Sequence, residues 1–273
     1  MEGAILNNLG LAWVNKGLYD KAIEYYEKAL DIDKKVFGEE HPDVAIDLNN
    51  LGGAWYNKGL YDKAIDYYEQ ALAIDKKVFG KEHPDIATRL NNIGLAWHST
   101  GHYDKAIEYY EQALDIDKKA FGEEHPQIAT GLNNMGSVWR AKGHYDKAIE
   151  YFEQALAIWK KAFGEEHPQV ATGLNNLGSA WKAKGQYDKA IEYYGQALAI
   201  DKKVFGEEHP NVAASLNNLG SAWDNKGQYG KAIEYFENAL PIFEKFLGKE
   251  HPTTKTVAEN LARARQSLAN SKK

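Results

Sequence analysis

The chain has 273 residues, 44% hydrophobic and 26% charged, with a formal net charge of -6. That modest acidic balance, with basic residues interleaved among acidic ones, argues against a nucleic-acid partner, which needs a clustered basic surface. The absence of cysteine excludes disulfides, thiolate metal sites and a cysteine nucleophile, and no apolar run approaches the roughly 20 residues of a membrane span.

The opening residues, Met1 to Asn8, lack a basic segment followed by an apolar stretch. No signal peptide is expected, and the protein is read as cytoplasmic, with no membrane partner. One unit is then written six times. Trp13, Trp55, Trp97, Trp139, Trp181 and Trp223 recur every 42 residues, and so do the His-Pro pairs from His41-Pro42 to His251-Pro252. Repeats of this kind outrank length as evidence of architecture. The repeats are placed at 1–42, 43–84, 85–126, 127–168, 169–210 and 211–252, with a C-terminal capping helix and polar tail at 253–273.

Within the second unit a first helix, A, is predicted from about Asp43 to Lys58, after a proline suited to a helix start. Gly59 ends it. Helix B follows from near Asp62 to about Phe79, and Gly80 stops it. Apolar residues at helical spacing give the inner faces: Val44, Leu48, Leu51, Gly52 and Trp55 on A, and Ala64, Tyr68, Ala71 and Leu72 on B. No unit hides these faces alone, so stability should come from stacking neighbours. Pro241 is expected to kink or end the last helix B. After it, residues 253 to about 270 read as a degenerate helix A in which Arg265 replaces the tryptophan, as suits a cap.

The series Leu48-x2-Leu51-Gly52-x2-Trp55, then Ala64-x3-Tyr68 and Ala71, resembles the tetratricopeptide motif. The period is eight residues longer than the usual 34, and helix B gains about two turns. This 42-residue form is similar to the repeats of kinesin light chains and nephrocystin-3-type proteins. The resemblance implies an all-α, right-handed superhelical α-solenoid of six helix-turn-helix units plus a C-terminal capping helix. It also implies that the A helices line a concave groove and that matching asparagines grip peptide backbones.

Opposite the buried face, centred on Leu48, helix A carries Ile46, Asn50, Gly53 and Asn57. Asn50 belongs to a series with Asn8, Asn92, Asn134, Asn176 and Asn218. An amide both donates and accepts, so such a row can hold an extended backbone without reading its sequence; alternatively, the amides are solvated or bond neighbouring backbone. Positions where the units differ, including Thr88, Thr130, Thr172, Ser137, Ser179, Arg140 and Lys182, either drift neutrally or select ligand side chains. Arg140 and Lys182, in adjacent units, would favour an acidic segment. The expected function is a non-catalytic protein-interaction scaffold binding an extended peptide in the groove. The alternative is a structural spacer, or an array that associates end to end.

The periodic histidines each precede a helix-starting proline, one per unit, and do not converge as metal ligands must. No catalytic, cofactor-binding or metal-binding residues are expected, and the chain is read as not an enzyme. Asp33, Asp75, Asp117 and Asp201 fall on the buried stripe of helix B, where a carboxylate needs partners. At the same position Trp159 is either an outer-face anchor or filler between helices.

Overall fold

A computed structural model describes residues 2–271. Met1 of the first repeat, and Lys272 and Lys273 of the polar tail, lie outside the described residues. Thirteen helices and no strand occur among the described residues. The A helices are α1 (Glu2–Asn15), α3 (Pro42–Asn57), α5 (Pro84–Ser99), α7 (Pro126–Ala141), α9 (Pro168–Ala183) and α11 (Pro210–Asn225). The B helices are α2 (Tyr19–Phe37), α4 (Tyr61–Phe79), α6 (Tyr103–Phe121), α8 (Tyr145–Phe163), α10 (Tyr187–Phe205) and α12 (Tyr229–Leu247), and α13 (Pro252–Ser271) follows. The chain divides into two compact units, one ending at Val138 and one beginning at Trp139. None of the described helices is long and apolar enough to cross a membrane.

From α3 onward each A helix starts on its proline, one residue earlier than the sequence suggests, because the preceding histidine is the cap. His41, His83, His125, His167, His209 and His251 each accept the backbone N–H two residues on through Nδ1, at 3.2 Å. The bond satisfies one of the donors a helix start leaves open. The ring also stacks on the phenylalanine that ends the previous helix, as Phe79 and His83 do at 4.5 Å. At the other end of helix B, Gly80 adopts φ 80, a region that side chains avoid.

Within a hairpin the two helices meet where a B-helix aromatic lies on an A-helix glycine. A Cβ at Gly52 would sit 2.6 Å from the Tyr68 ring, and one at Gly220 would sit 2.7 Å from Phe236. Each such ring buries on the order of 150–250 Å². Tyr68, Tyr110, Phe152, Tyr194 and Phe236 are all buried. The A-helix tryptophans are half-buried and capped by lysine ammonium groups: Lys63 lies 4.2 Å and Lys58 5.2 Å from the Trp55 ring centroid.

Between hairpins, each B helix packs on the A helix that follows. In the first unit Asp75 takes the Arg89 Nε donor at 2.9 Å, and in the second Ser215 donates to Asp201 at 2.7 Å. Asp75 and Asp201 therefore find side-chain partners on the next A helix, whereas Asp117 is buried with Oδ2 unpartnered, the position of Arg89 and Ser215 being Gly131 in its neighbour. Trp159 is buried, 3.3 Å from where a Cβ would stand on Gly173, and fills the gap between helices. Exposed pairs Lys119–Glu82 (3.3 Å) and Lys245–Glu208 (2.5 Å) join successive repeats. Pro241 does not end α12. Pro241 and Glu237, whose carbonyl loses its i+4 donor, are both exposed, so water can serve that carbonyl.

Gly52→Ala should destabilise the protein by about 1–3 kcal/mol, read from urea unfolding, because the new methyl enters the Tyr68 ring. His83→Ala should cost about 1 kcal/mol, and His83→Asn, which restores a cap acceptor but not the stack on Phe79, should recover part of that loss in the same assay.

Candidate functional site

The asparagine pairs occupy the seam between A helices. Asn50 donates to Asn7 Oδ1 at 3.1 Å, Asn92 to Asn49 at 2.8 Å and Asn218 to Asn175 at 3.3 Å. The first asparagine in turn reaches the next A helix: Asn7 donates to Asp47 at 2.5 Å and Asn175 to Ser215 at 3.1 Å. Side-chain amides thus bridge neighbouring A helices, with Asn50, Asn92 and Asn218 each using an N–H on the neighbour, while the buried Asn91 Oδ1 has no partner. Asn8 is exposed, while Asn50, Asn92, Asn134, Asn176 and Asn218 are half-buried. Asn57, Thr88, Thr130 and Thr172 are exposed, and Ser137, Ser179, Arg140 and Lys182 are half-buried. Thr172 and Ser137 donate their hydroxyls to carbonyls four residues back, at 3.1 Å each. That leaves their oxygens as acceptors.

In the first unit the structure gathers part of this set around one cavity of about 370 Å³. Asn8 and Asn50 line it with Ala4, Leu11 and Ile46, the positions that vary between repeats, and α2 contributes Tyr26, Asp33 and Phe37. Asp33 sits close beneath α1: a Cβ on Gly3 would stand 2.4 Å from its Oδ1.

Beside Asp33 lies Asp47, fully buried, with one oxygen on Asn7 and Oδ2 without a hydrogen-bond partner. Burial pushes the Asp47 carboxyl up to about 7; the Asn7 amide pulls it down, and the Asp33 charge raises it further. Sequence reasoning missed Asp47. Its signal was present, since the same position holds Arg89, Gly131, Gly173 and Ser215 in other repeats and is acidic only here.

In the second unit Lys182 donates to Ser221 at 3.0 Å. Burial and, secondly, the Arg140 charge hold its ammonium below the usual lysine range. Two cations therefore stand close enough to repel each other on the A-helix side. Ser179 hydrogen-bonds the Tyr194 hydroxyl below them. Further on, Arg263 pairs with Asp224 at 3.1 Å. Among the described residues no group of three or more His, Asp or Glu side chains is placed to hold a metal ion.

The sequence matches the tetratricopeptide repeat family over residues 2–58, 48–119, 98–161, 127–203 and 174–222, and again over 212–253. Comparison with curated proteins gives no match. Among solved structures, a putative kinesin light chain of nearly identical repeats from Podosopora anserina is 30% identical with a TM-score of 0.63, covering 76% of this chain and 98% of that one. BtubC (BKLC) from P. vanneervenii is 24% identical with a TM-score of 0.71, covering 86% and 94%. A Rap protein complexed with Competence and Sporulation Factor is 20% identical with a TM-score of 0.67, covering 98% and 76%.

The pH dependence at Asp47 has a definite sign. Its folded carboxyl titrates above the unfolded one, so its stabilising contribution is complete below the unfolded value of 3.8 and is lost as pH rises through about 7. Asp47→Asn should therefore raise the melting temperature at pH 8, by about 1–3 kcal/mol equivalent, and change it little at pH 4.

Proposed function

The chain belongs to the tetratricopeptide repeat family, whose repeats mark a protein-interaction scaffold, and on that premise we propose that its A-helix face binds an extended peptide segment without catalysis. The observation that carries this reading is the first-unit cavity. There the recurrent amides Asn8 and Asn50 meet the repeat-variable residues Ala4, Leu11 and Ile46 in one concave place. Amides that already hold one another are oriented before a ligand arrives. Each keeps hydrogen-bonding capacity beyond the bond it makes, so a peptide backbone meets a preorganised edge at little ordering cost. Thr88, Asn92, Thr130, Asn134 and Ser137 extend the set in the first unit, and Thr172, Asn176, Ser179 and Asn218 repeat it in the second.

The ligand's chemistry follows from the differences between repeats. Ala4, Leu11 and Ile46 favour apolar side chains in the first unit. Arg140 and Lys182 favour a carboxylate in the second, because a partly desolvated ammonium beside another cation gains more from an anion than a solvated one does. The partner is accordingly a protein segment with acidic character, met in the cytoplasm. A spacer without a ligand would have no reason to show any such preference.

Fluorescence anisotropy with labelled extended peptides tests this. Acidic peptides should bind more tightly than basic ones of equal length, and Lys182→Ala should reduce that preference about tenfold, roughly 1.4 kcal/mol. Asn50→Ala should weaken acidic and neutral peptides alike. Equal binding of acidic and basic peptides would remove the assigned preference, and no binding by any peptide would favour the spacer.

A further inference from the structure

A second surface, independent of the peptide reading, lies on α1. At the junction between one hairpin and the next, three A-helix positions carry the contact, as Leu51 and Ala54 beside Asp47 do in α3, all of them buried. The same three positions on α1 are Ile5, Leu9 and Ala12, and they are exposed, Ile5 at 60% and Leu9 at 42%. In α13 they are Val257, Leu261 and Ala264, six repeat lengths later, and there they are buried against Phe236, Ala239 and Phe243 of α12. Thus α1 and α13 present nearly the same apolar trio, one bare and one seated.

The seam position identifies which B helix that bare face fits. Across the junctions Asp75 meets Arg89, Asp201 meets Ser215, Trp159 meets Gly173 and Phe243 clusters with Val257. Ile5 stands where Arg89, Ser215, Gly173 and Val257 stand. Against α2, α4, α6 or α10 it would bury an aspartate on a methyl group, which is unfavourable without a partner. Trp159 of α8 is seated on a glycine. Phe243 of α12 already accepts a β-branched apolar residue. The matching surface for α1 is α12.

Charge complementarity agrees. Successive repeats are joined by a B-helix lysine to the preceding loop glutamate, as in Lys119–Glu82 and Lys245–Glu208, and by Tyr109 donating to Glu69 at 3.3 Å. The α2 members of these sets are Lys35 and Tyr25. Their acceptors in the last repeat are Glu250 and Glu237, and α13 occupies both: Lys255 pairs with Glu250 and Arg265 with Glu237, each at 2.7 Å.

We propose that α13 is a mimic of α1, and that α1 of a second copy docks on α12 when α13 is displaced, so that copies join head to tail by the same contact that joins repeats. The cap holds the chain apart from its own kind because an intramolecular helix competes at high effective concentration with an intermolecular one.

Sedimentation velocity of the 273-residue chain over a concentration series tests the proposal, with circular dichroism as the check on folding. Leu261→Asp, which unseats α13, should assemble at about tenfold lower concentration than the wild type. Adding Ile5→Asp to the same chain should return it to monomer. Should L261D lose helical signal outside α13, K255E with R265E decides the matter: both residues are exposed, and the pair should shift assembly in the same direction. Assembly of the doubly substituted I5D, L261D chain to the same extent as L261D would overturn the proposal. So would monomeric behaviour of both cap variants at wild-type helical content.

Discussion

The contact on which everything else rests is a ring lying on a glycine. Tyr68 over Gly52, repeated as Tyr194 over Gly178 and Phe236 over Gly220, brings the two helices of a hairpin closer than any side chain on helix A would permit. That distance fixes which residues of each helix remain available for the next hairpin. A hairpin of two helices leaves one apolar face uncovered on each side, and only a neighbour with the same geometry covers it. The histidine cap and the positive-φ glycines then set where each helix starts and stops, so the geometry recurs without drift.

On this constant frame a single seam position varies. Asp75 and Asp201 of helix B are answered by arginine and serine on the following A helix, Trp159 by glycine and Phe243 by valine, while Asp117 is followed by Gly131 and keeps one buried oxygen unpartnered. A buried carboxylate without its partner is destabilising, whereas the matched pair is close to neutral. The first junction departs further from this pattern. Asp33 faces Asp47, and the second carboxyl is held protonated up to about pH 7 by burial and by its neighbour's charge. That strained junction borders the cavity in which Asn8 and Asn50 meet the variable apolar residues.

Much of the fold was legible from residues alone, for reasons that can be named. Proline and glycine carry fixed backbone preferences, so the helix ends were readable within a residue or two. The 42-residue recurrence of tryptophan aligned every helix face at once. The cap was less visible: a histidine before proline looks like a turn residue, and only its Nδ1 acceptor role shows why the helix begins on the proline. Pro241 does not end its helix, because propensity describes an average environment, while here the affected carbonyl lies on the exposed side. The buried aspartates were anticipated from helical phase. Which side chains serve as partners was not readable, because Arg89 and Ser215 lie 14 residues away across a loop, a separation that no helical period marks.

The asparagine rows show why a binding surface is harder to read than a fold. Helical phase put Asn50 on the open face, yet in the structure its kind is joined to the seam asparagines, Asn92 donating to Asn49 and Asn50 to Asn7. An amide has enough donors and acceptors to serve both purposes. Its recurrence in every repeat therefore follows from the seam bonds alone and cannot by itself identify a ligand surface. What distinguishes one stretch of the A-helix face from another is the set of side chains the seam does not require. Leu11 and Ile46 beside the first cavity, and the paired cations Arg140 and Lys182, are of that kind. None of them is needed to join two hairpins, since other repeats place threonine, serine, glycine or aspartate at the same positions and stack in the same way. Residues free of the stacking constraint, and held in a partly desolvated place despite it, are where selection for a partner can act without loss of the array.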